Sequence, residues 1–341
     1  MGSKKPKKVE DEREAFIKHT LSLIPQMREA LAFEPTSMPS RSPDHILMIG
    51  MGGSAICSDV IADMMRNTSR VPVSVVRSIH VPAWVDRSTL VVAISYSGDT
   101  LETLTAMQDA SERGASICGI ASGGRLAKIC TERELPFIRL PGGMMPRAAL
   151  GTLLGACARL LDTQTFPIVK ILTKAMVDCD PYSKRISDGC YQLVDQVARG
   201  ISHSLPIIYA VSCLLSAARR FKGELNENAK ALAYFAEFPE AAHNDIVGLS
   251  EIIAQTKGKG IAPVTLRREG ENDHIVKMYE AFESVSGKRF LTVRAPFDEV
   301  PSSLLYHILV GDAVSLKVAE IRGKDPSVIL PIQEFKKRLW F

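Results

Sequence analysis

Two short loops carry the side chains best suited to chemistry. "GMGGS" (Gly50–Ser54) follows the apolar run "HILMI", and "SYSGDT" (Ser95–Thr100) lies between "LVVAI" and the helical "LETLTAMQDASERGA". A plain turn is satisfied by glycine and aspartate, so the hydroxyls of Ser95, Ser97 and Thr100 ask for a ligand. Glycine lets backbone approach an anion closely, hydroxyls at a helix start donate to it, and the helix dipole favours negative charge. Gly52, Gly53, Ser54, Ser95, Ser97 and Thr100 are therefore read as a cradle for one phosphate monoester. Two other readings compete. Asp99 and Glu102 have capping-box spacing, so "SGDTLE" taken alone is explained as a helix start. "GMGGSA" also fits the dinucleotide pattern G-x-G-x-x-A. That reading needs a carboxylate at the end of the second strand, where "VPVSVVRSIH" supplies Arg77 instead, leaving only a phosphorylated nicotinamide cofactor and no task for the second serine loop.

Such loops meet a ligand only when they lie beyond the carboxyl ends of parallel strands. The chain alternates accordingly. "HILMIG", "VPVSVV", "LVVAIS", "SICGIAS" and "FIRL" read as strands separated by helices, and their near-continuous apolar character indicates sheets covered on both faces. "PRAALGTLLGACARLLD" opens a helix with Pro146 in its first turn. After a polar, helix-prone bridge the pattern restarts with strands "LPIIYAVS", "GIAPVTLR" and "RFLTVRA". "LLSAARRFKGELNENAKALAYF" is read as one helix, as are "HIVKMYEAFESVS", "SSLLYHILVGDAVSLKVAEI" and "PIQEFKKRLW". The fold class is α/β, with two doubly wound domains, each a mainly parallel sheet flanked by helices. The expected boundaries are a basic tail and helix over 1–40, a first domain over 41–165, a helical linker over 166–200 and a second domain over 201–341.

Composition excludes several classes. Of 341 residues, 46% are hydrophobic and 23% charged, the profile of a globular protein. The net charge of +4 is matched by Lys4, Lys5, Lys7 and Lys8 alone, so the body is neutral and no broad nucleic-acid face is expected. "MGSKKPKKVEDERE" reads as a solvated tail, with an arm for nucleic acid or membrane as the alternative. Seven scattered cysteines without C-x-x-C read as small core residues of a reducing compartment, and no metal site is expected. No apolar run spans a bilayer and no signal-peptide core is evident, which places the protein in the cytoplasm, away from membranes.

The hydroxyl-rich loop resembles the sugar isomerase domain. The segments "GMGGSAI", "SYSGDTLETL", "PRAALG", "NENAKALAYFAEFPEAAHNDIVG" and "GKDPSVILPIQEFKKRL" occur in the order and rough spacing of the bifunctional phosphoglucose/phosphomannose isomerases, a resemblance covering residues 40–341. It implies interconversion of glucose 6-phosphate and mannose 6-phosphate with fructose 6-phosphate by proton transfer through a cis-enediol, without cofactor or metal. It further implies a homodimer whose histidine is supplied across the subunit boundary.

Four residues take catalytic roles by that resemblance. Glu227 in "ELNENAK" is the base, although alone it reads as a solvated helical glutamate; Asn226 and Asn228 flank it and are expected to hold its carboxylate. His243 in "AAHNDIVG" assists ring opening, its ordinary pKa of about 6.5 suiting both proton uptake and release. Asn244 and Asp245 make a helix-start turn the alternative there. Arg147 stabilises the enediolate; a cation near a helix start is not favoured by the dipole, which itself suggests a ligand partner. Lys336 aligns with a sugar-contacting lysine, with adjacent Lys337 leaving the register open and a solvated basic face as the alternative. Cys57, Ser58 and Asp99 depart from the family pattern, and Asp99 places a negative charge near the phosphate loop. Sugar isomerase domains also serve as sensors, so binding without turnover competes with catalysis. An NADP-dependent oxidoreductase is the third reading.

Overall fold

The computed structural model describes residues 7–39 and 43–339. The chain forms two compact units, one of residues 22–183 and one joining the residues up to Leu21 with those from Lys184 onward. Helix α1 (Lys7–Leu21) begins inside the stretch read as a solvated tail, while Lys4 and Lys5 lie outside the described residues. Helix α2 (Leu23–Ala30) follows.

The 22–183 unit is a five-stranded parallel sheet in the order β2-β1-β3-β4-β5, from β1 (His45–Ile49), β2 (Val73–Val76), β3 (Thr89–Ile94), β4 (Ser116–Ala121) and β5 (Phe137–Arg139). Helix α3 (Gly53–Met65) connects β1 to β2, α4 (Leu101–Glu112) connects β3 to β4, and α5 (Gly124–Glu132) connects β4 to β5. Every residue of β3 is buried, as a central strand covered on both faces requires. Successive side chains point to opposite faces. Leu47, Ile49, Val91 and Ala93 pack with Leu104, Met107, Leu126 and Ala127 of α4 and α5, leaving Ile46, Met48, Val92 and Ile94 to the other face, where α3 and α6 (Leu150–Leu161) pack. The first turn expected of α6 is a separate 3₁₀ turn, Pro146–Ala149. The apolar stretch of α6 is core of this unit, buried along nearly its whole length. Helix α7 (Ile168–Ser187) occupies the bridge with α8 (Gln192–Ile201).

The other unit is a four-stranded parallel sheet in the order β7-β6-β8-β9: β6 (Leu205–Val211), β7 (Tyr234–Phe238), β8 (Ile261–Arg268) and β9 (Leu291–Ala295). Strand β7 corrects the sequence reading, which ran a single helix into its first two residues. Helix α9 (Leu215–Glu227) stops at Glu227, and "YFAEF" pairs with β6 as an edge strand. Helices α10 (Asp245–Thr256), α11 (Asp273–Ser286), α12 (Val300–Ile321) and α13 (Leu330–Leu339) complete it. Phe238, Tyr279 and Phe282 form its aromatic centre, with Phe238 and Tyr279 stacked 3.8 Å apart. Helix α12 is buried from Ser302 through Ser315, so its apolar run is also core. No described helix is long and apolar enough to cross a membrane.

Five of the seven cysteines are buried; Cys190 is exposed and Cys213 half-exposed, which departs from an all-core reading.

Candidate active site

In the 22–183 unit the strand order reverses between β1 and β3, whose ends are paired Ile49 to Ala93. The two loops singled out in the sequence leave these adjacent strands at the switch point, where an α/β sheet gathers its ligands. Gly52 has φ +54° and precedes α3, and Ser54 is buried in the first turn of that helix.

The serine loop is organised from within. Ser95, 1% exposed, accepts hydrogen bonds at Oγ from the N–H of Gly98 (3.1 Å) and of Thr100 (3.4 Å), and its Oγ lies 2.9 Å from Thr100 Oγ1. Ser97 is exposed at the tip and accepts from the Asp99 N–H at 3.3 Å. Gly98 has φ +79°, and a Cβ there would stand 1.8 Å from Gly123 O, so only glycine lets this turn lie against the next loop.

Thr100, not Asp99, is the residue before α4, and it makes no side-chain cap bond. The capping-box reading of Asp99 and Glu102 is thereby corrected. Asp99 turns instead to α5, accepting from the Arg125 N–H (3.0 Å) and guanidinium (3.4 Å). The negative charge expected to face the phosphate loop is thus paired with Arg125. Cys57 and Ser58 are also turned away: both are fully buried, Cys57 against Cys157 of α6 and Ser58 donating to Ser54 O at 3.2 Å. Arg77, the one support for a phosphorylated dinucleotide, pairs with Asp59 and donates to Ala55 O at 3.3 Å.

Arg147 sits in the 3₁₀ turn, 5% exposed. Three contacts fix this turn beside the loops. A Cβ on Gly53 would stand 3.0 Å from Pro146 O and 3.4 Å from Arg147 Cα, so the start of α3 presses directly on it. Buried Gln26 of α2 donates to Ala148 O at 2.9 Å and accepts from the Thr152 N–H at 3.3 Å. Tyr96 turns inward between the two loop serines, donates to Pro141 O (2.9 Å) and accepts from the Met144 N–H (3.1 Å). Burial raises the Tyr96 phenol above the ordinary tyrosine value while the Met144 bond pulls the other way, so it remains a neutral donor. Neither Gln26 nor Tyr96 carries a sequence signal, since each acts across the fold. The structure therefore brings Gly52, Gly53, Ser54, Ser95, Ser97, Thr100 and Arg147 to one edge of one sheet.

The remaining candidates belong to the other unit. Glu227 is the last residue of α9 and half-buried. The amide nitrogens of its flanking asparagines turn to other partners. The Asn226 amide nitrogen donates to Lys222 O (2.7 Å) and Ala233 O (3.5 Å), and that of Asn228 to Glu224 (2.8 Å) and Ser315 (2.9 Å), engaging both hydrogens of each. His243 ends the 3₁₀ turn Glu240–His243 and is exposed. The helix start belongs to its neighbour: Asn244 Oδ1 accepts from the Asp245 N–H at 2.6 Å. Lys336 lies exposed in the last turn of α13, beside exposed Lys337 and Arg338.

A parallel sheet with hydroxyl-bearing loops at its switch point is the build of a SIS-domain protein. Residues 41–130 match the SIS domain, and residues 192–339 match the bacterial phospho-glucose isomerase C-terminal SIS domain. A bifunctional phosphoglucose/phosphomannose isomerase of Thermoplasma acidophilum is 32% identical over 300 residues, covering 86% of this chain and 89% of that one. The chain belongs to the bifunctional phosphoglucose/phosphomannose isomerase family. A D-glucosamine-6-phosphate 4-epimerase of Sulfolobus acidocaldarius is 30% identical over 86% of this chain and 90% of its own. The fold is shared with the C-terminal domain of glucosamine-fructose-6-phosphate aminotransferase from Francisella tularensis, with a TM-score of 0.65 at 15% identity, over 93% of this chain and 97% of that one.

Proposed function

We propose that the protein interconverts glucose 6-phosphate and mannose 6-phosphate with fructose 6-phosphate by proton transfer through a cis-enediol, with no cofactor or metal in the chemical step. The observation that carries this reading is the 32% identity to a bifunctional isomerase across 86% of the chain. Moving a proton between adjacent carbons needs a base beside C2, donors near the enediolate oxygens and a group that opens the ring. Glu227 is the base, Arg147 steadies the enediolate, His243 opens the ring and Lys336 contacts the sugar. Gly52, Gly53, Ser54, Ser95, Ser97 and Thr100 hold the phosphate, a role supported by their place at the β1/β3 switch point. Rotation about C2–C3 in the intermediate would let the proton return to either face, which makes the mannose epimer a substrate. The family resemblance supports a cytoplasmic homodimer acting in hexose phosphate metabolism, with its two sugar isomerase domains over 41–165 and 201–341.

Glu227→Gln tests the reading at its centre. Turnover should fall roughly 10²–10⁴-fold, and exchange of the C2 hydrogen with deuterated solvent should be lost in proportion. Near-normal exchange would remove Glu227 from the mechanism. A second reading, epimerisation at C4 of an amino sugar phosphate, is favoured by the 30% identity to the Sulfolobus enzyme. Appearance of a C4 epimer from glucosamine 6-phosphate, with glucose 6-phosphate inert, would establish it instead.

A further inference from the structure

Helices α9 and α12 meet across a seam of charge. Arg220 donates from Nε and Nη2 to the two carboxylate oxygens of Asp312, at 2.8 Å each, and its Nη1 lies 3.1 Å from Glu224 one turn along its own helix. The second oxygen of Glu224 accepts from the Asn228 amide at 2.8 Å. That amide also donates to Ser315 Oγ (2.9 Å), which donates in turn to Asp312 O (2.7 Å). Each of these five residues is at most 4% exposed, so the ring is shielded from solvent. Two carboxylates share the Arg220 guanidinium, and burial raises the Asp312 pKa to about 7 against the pull of that guanidinium. Apolar side chains of the same volume commonly serve stability as well as a buried ion cluster does, which turns attention to another task for this one.

Glu227 supplies that task. It lies three residues beyond Glu224 and seven beyond Arg220, on the same side of α9, and it is the final residue of the helix. A helix C-terminus disfavours a carboxylate's charge, as do Glu224 and, where ionised, Asp312. Lys230 and Arg220 act in the opposite sense, as does Arg322, which donates to Lys230 O at 3.4 Å. Lys230 donates from Nζ to the carbonyls of Glu227 (2.9 Å), Asn228 (3.3 Å) and Asp325 (2.5 Å), closing the helix end, while Arg220 lies beneath.

We propose that Arg220, clamped between Asp312 and Glu224, is a positioning residue that sets the proton affinity of Glu227. The inference rests on reading Glu227 as the base. Arg220 itself carries the imprint of the arrangement: burial alone would lower its proton affinity, but Asp312, Glu224 and, more weakly, Glu227 raise it above the ordinary arginine value. The guanidinium favours ionised Glu227 and the carboxylates, where ionised, oppose it, so a change of charge in the seam should move the proton affinity of the base.

The test is the acid limb of the kcat/KM profile for glucose 6-phosphate isomerisation. Glu224→Gln removes one opposing charge while keeping the side chain's shape, so the limb should move to lower pH by roughly half a unit. Arg220→Gln should move it the opposite way, and Arg220→Lys, which keeps the charge, should lie nearer the wild type. If Arg220→Gln does not fold, Glu224→Gln and Arg220→Lys decide the question. A limb that stays in place in Glu224→Gln, or rises, overturns the proposal even if turnover drops. The Glu227→Gln variant separates the two failures: retained exchange at C2 sinks the base assignment and this inference with it, whereas lost exchange with an unmoved Glu224→Gln limb sinks the inference alone.

Discussion

Arg147 illustrates how much of a site depends on residues that are silent in the sequence. The arginine stood out as a candidate, because a cation at a helix start conflicts with the dipole and invites a ligand. The serines and glycines of the two loops stood out because they offer more donors than a turn requires, and the structure gathers them with Arg147 at one end of one sheet. What fixes the Arg147 turn was not: Gln26 reaches it across 122 residues, and Tyr96 holds the loop before it across 45. A glutamine or tyrosine at such separations has no spacing to betray it. Asn226 and Asn228 show the converse error, since residues adjacent in sequence to Glu227 turn their amides to other partners. If Arg147 acts on the enediolate, Arg147→Ala should lower kcat roughly 10²–10³-fold, measured by steady-state turnover from glucose 6-phosphate. A rise in KM alone would make the arginine a ground-state contact.

At the scale of elements, the alternation of apolar runs and amphipathic segments read correctly as parallel sheets, and most strands fall where expected. Strand β7 escaped because no glycine or proline lies between Gly223 and Pro239, and the alanines and leucine just before it continue the helical pattern of α9. The break is made instead by Lys230, at φ +51°, whose ammonium caps the helix end. An edge strand of which only Phe238 is buried offers a weaker signal than a buried central one. Helix α12 contributes a pH dependence. His307 is 1% exposed, its Nε2 donates to Arg267 O of β8 at 2.9 Å, and burial lowers its pKa to about 4, against the bond to that carbonyl. The unfolded chain, with a histidine pKa of about 6.5, binds the proton first, so stability is full above that value and declines as pH falls toward 4. The loss should approach about 3 kcal/mol. Denaturant unfolding of wild type and His307→Gln across this range checks it; the variant should show a correspondingly flatter decline, and parallel curves would remove His307 as the cause.

For the whole molecule, each unit repeats one plan: a parallel sheet whose strand order reverses beside its first strand, with helices on both faces. That plan is common to proteins of different activity, as the shared fold of an aminotransferase domain at 15% identity illustrates. A reaction is therefore argued from particular residues, and the candidates are a hydroxyl-lined switch point and Arg147 in the 22–183 unit and half-buried Glu227 in the other. Binding of a sugar phosphate would be consistent with a sensor; only turnover distinguishes an enzyme.

The decisive measurement offers glucose 6-phosphate and mannose 6-phosphate separately to the full chain, with chelator present, and follows fructose 6-phosphate. Conversion of both is predicted. Binding without conversion of either sugar, or conversion only after a divalent metal is restored, would contradict the account.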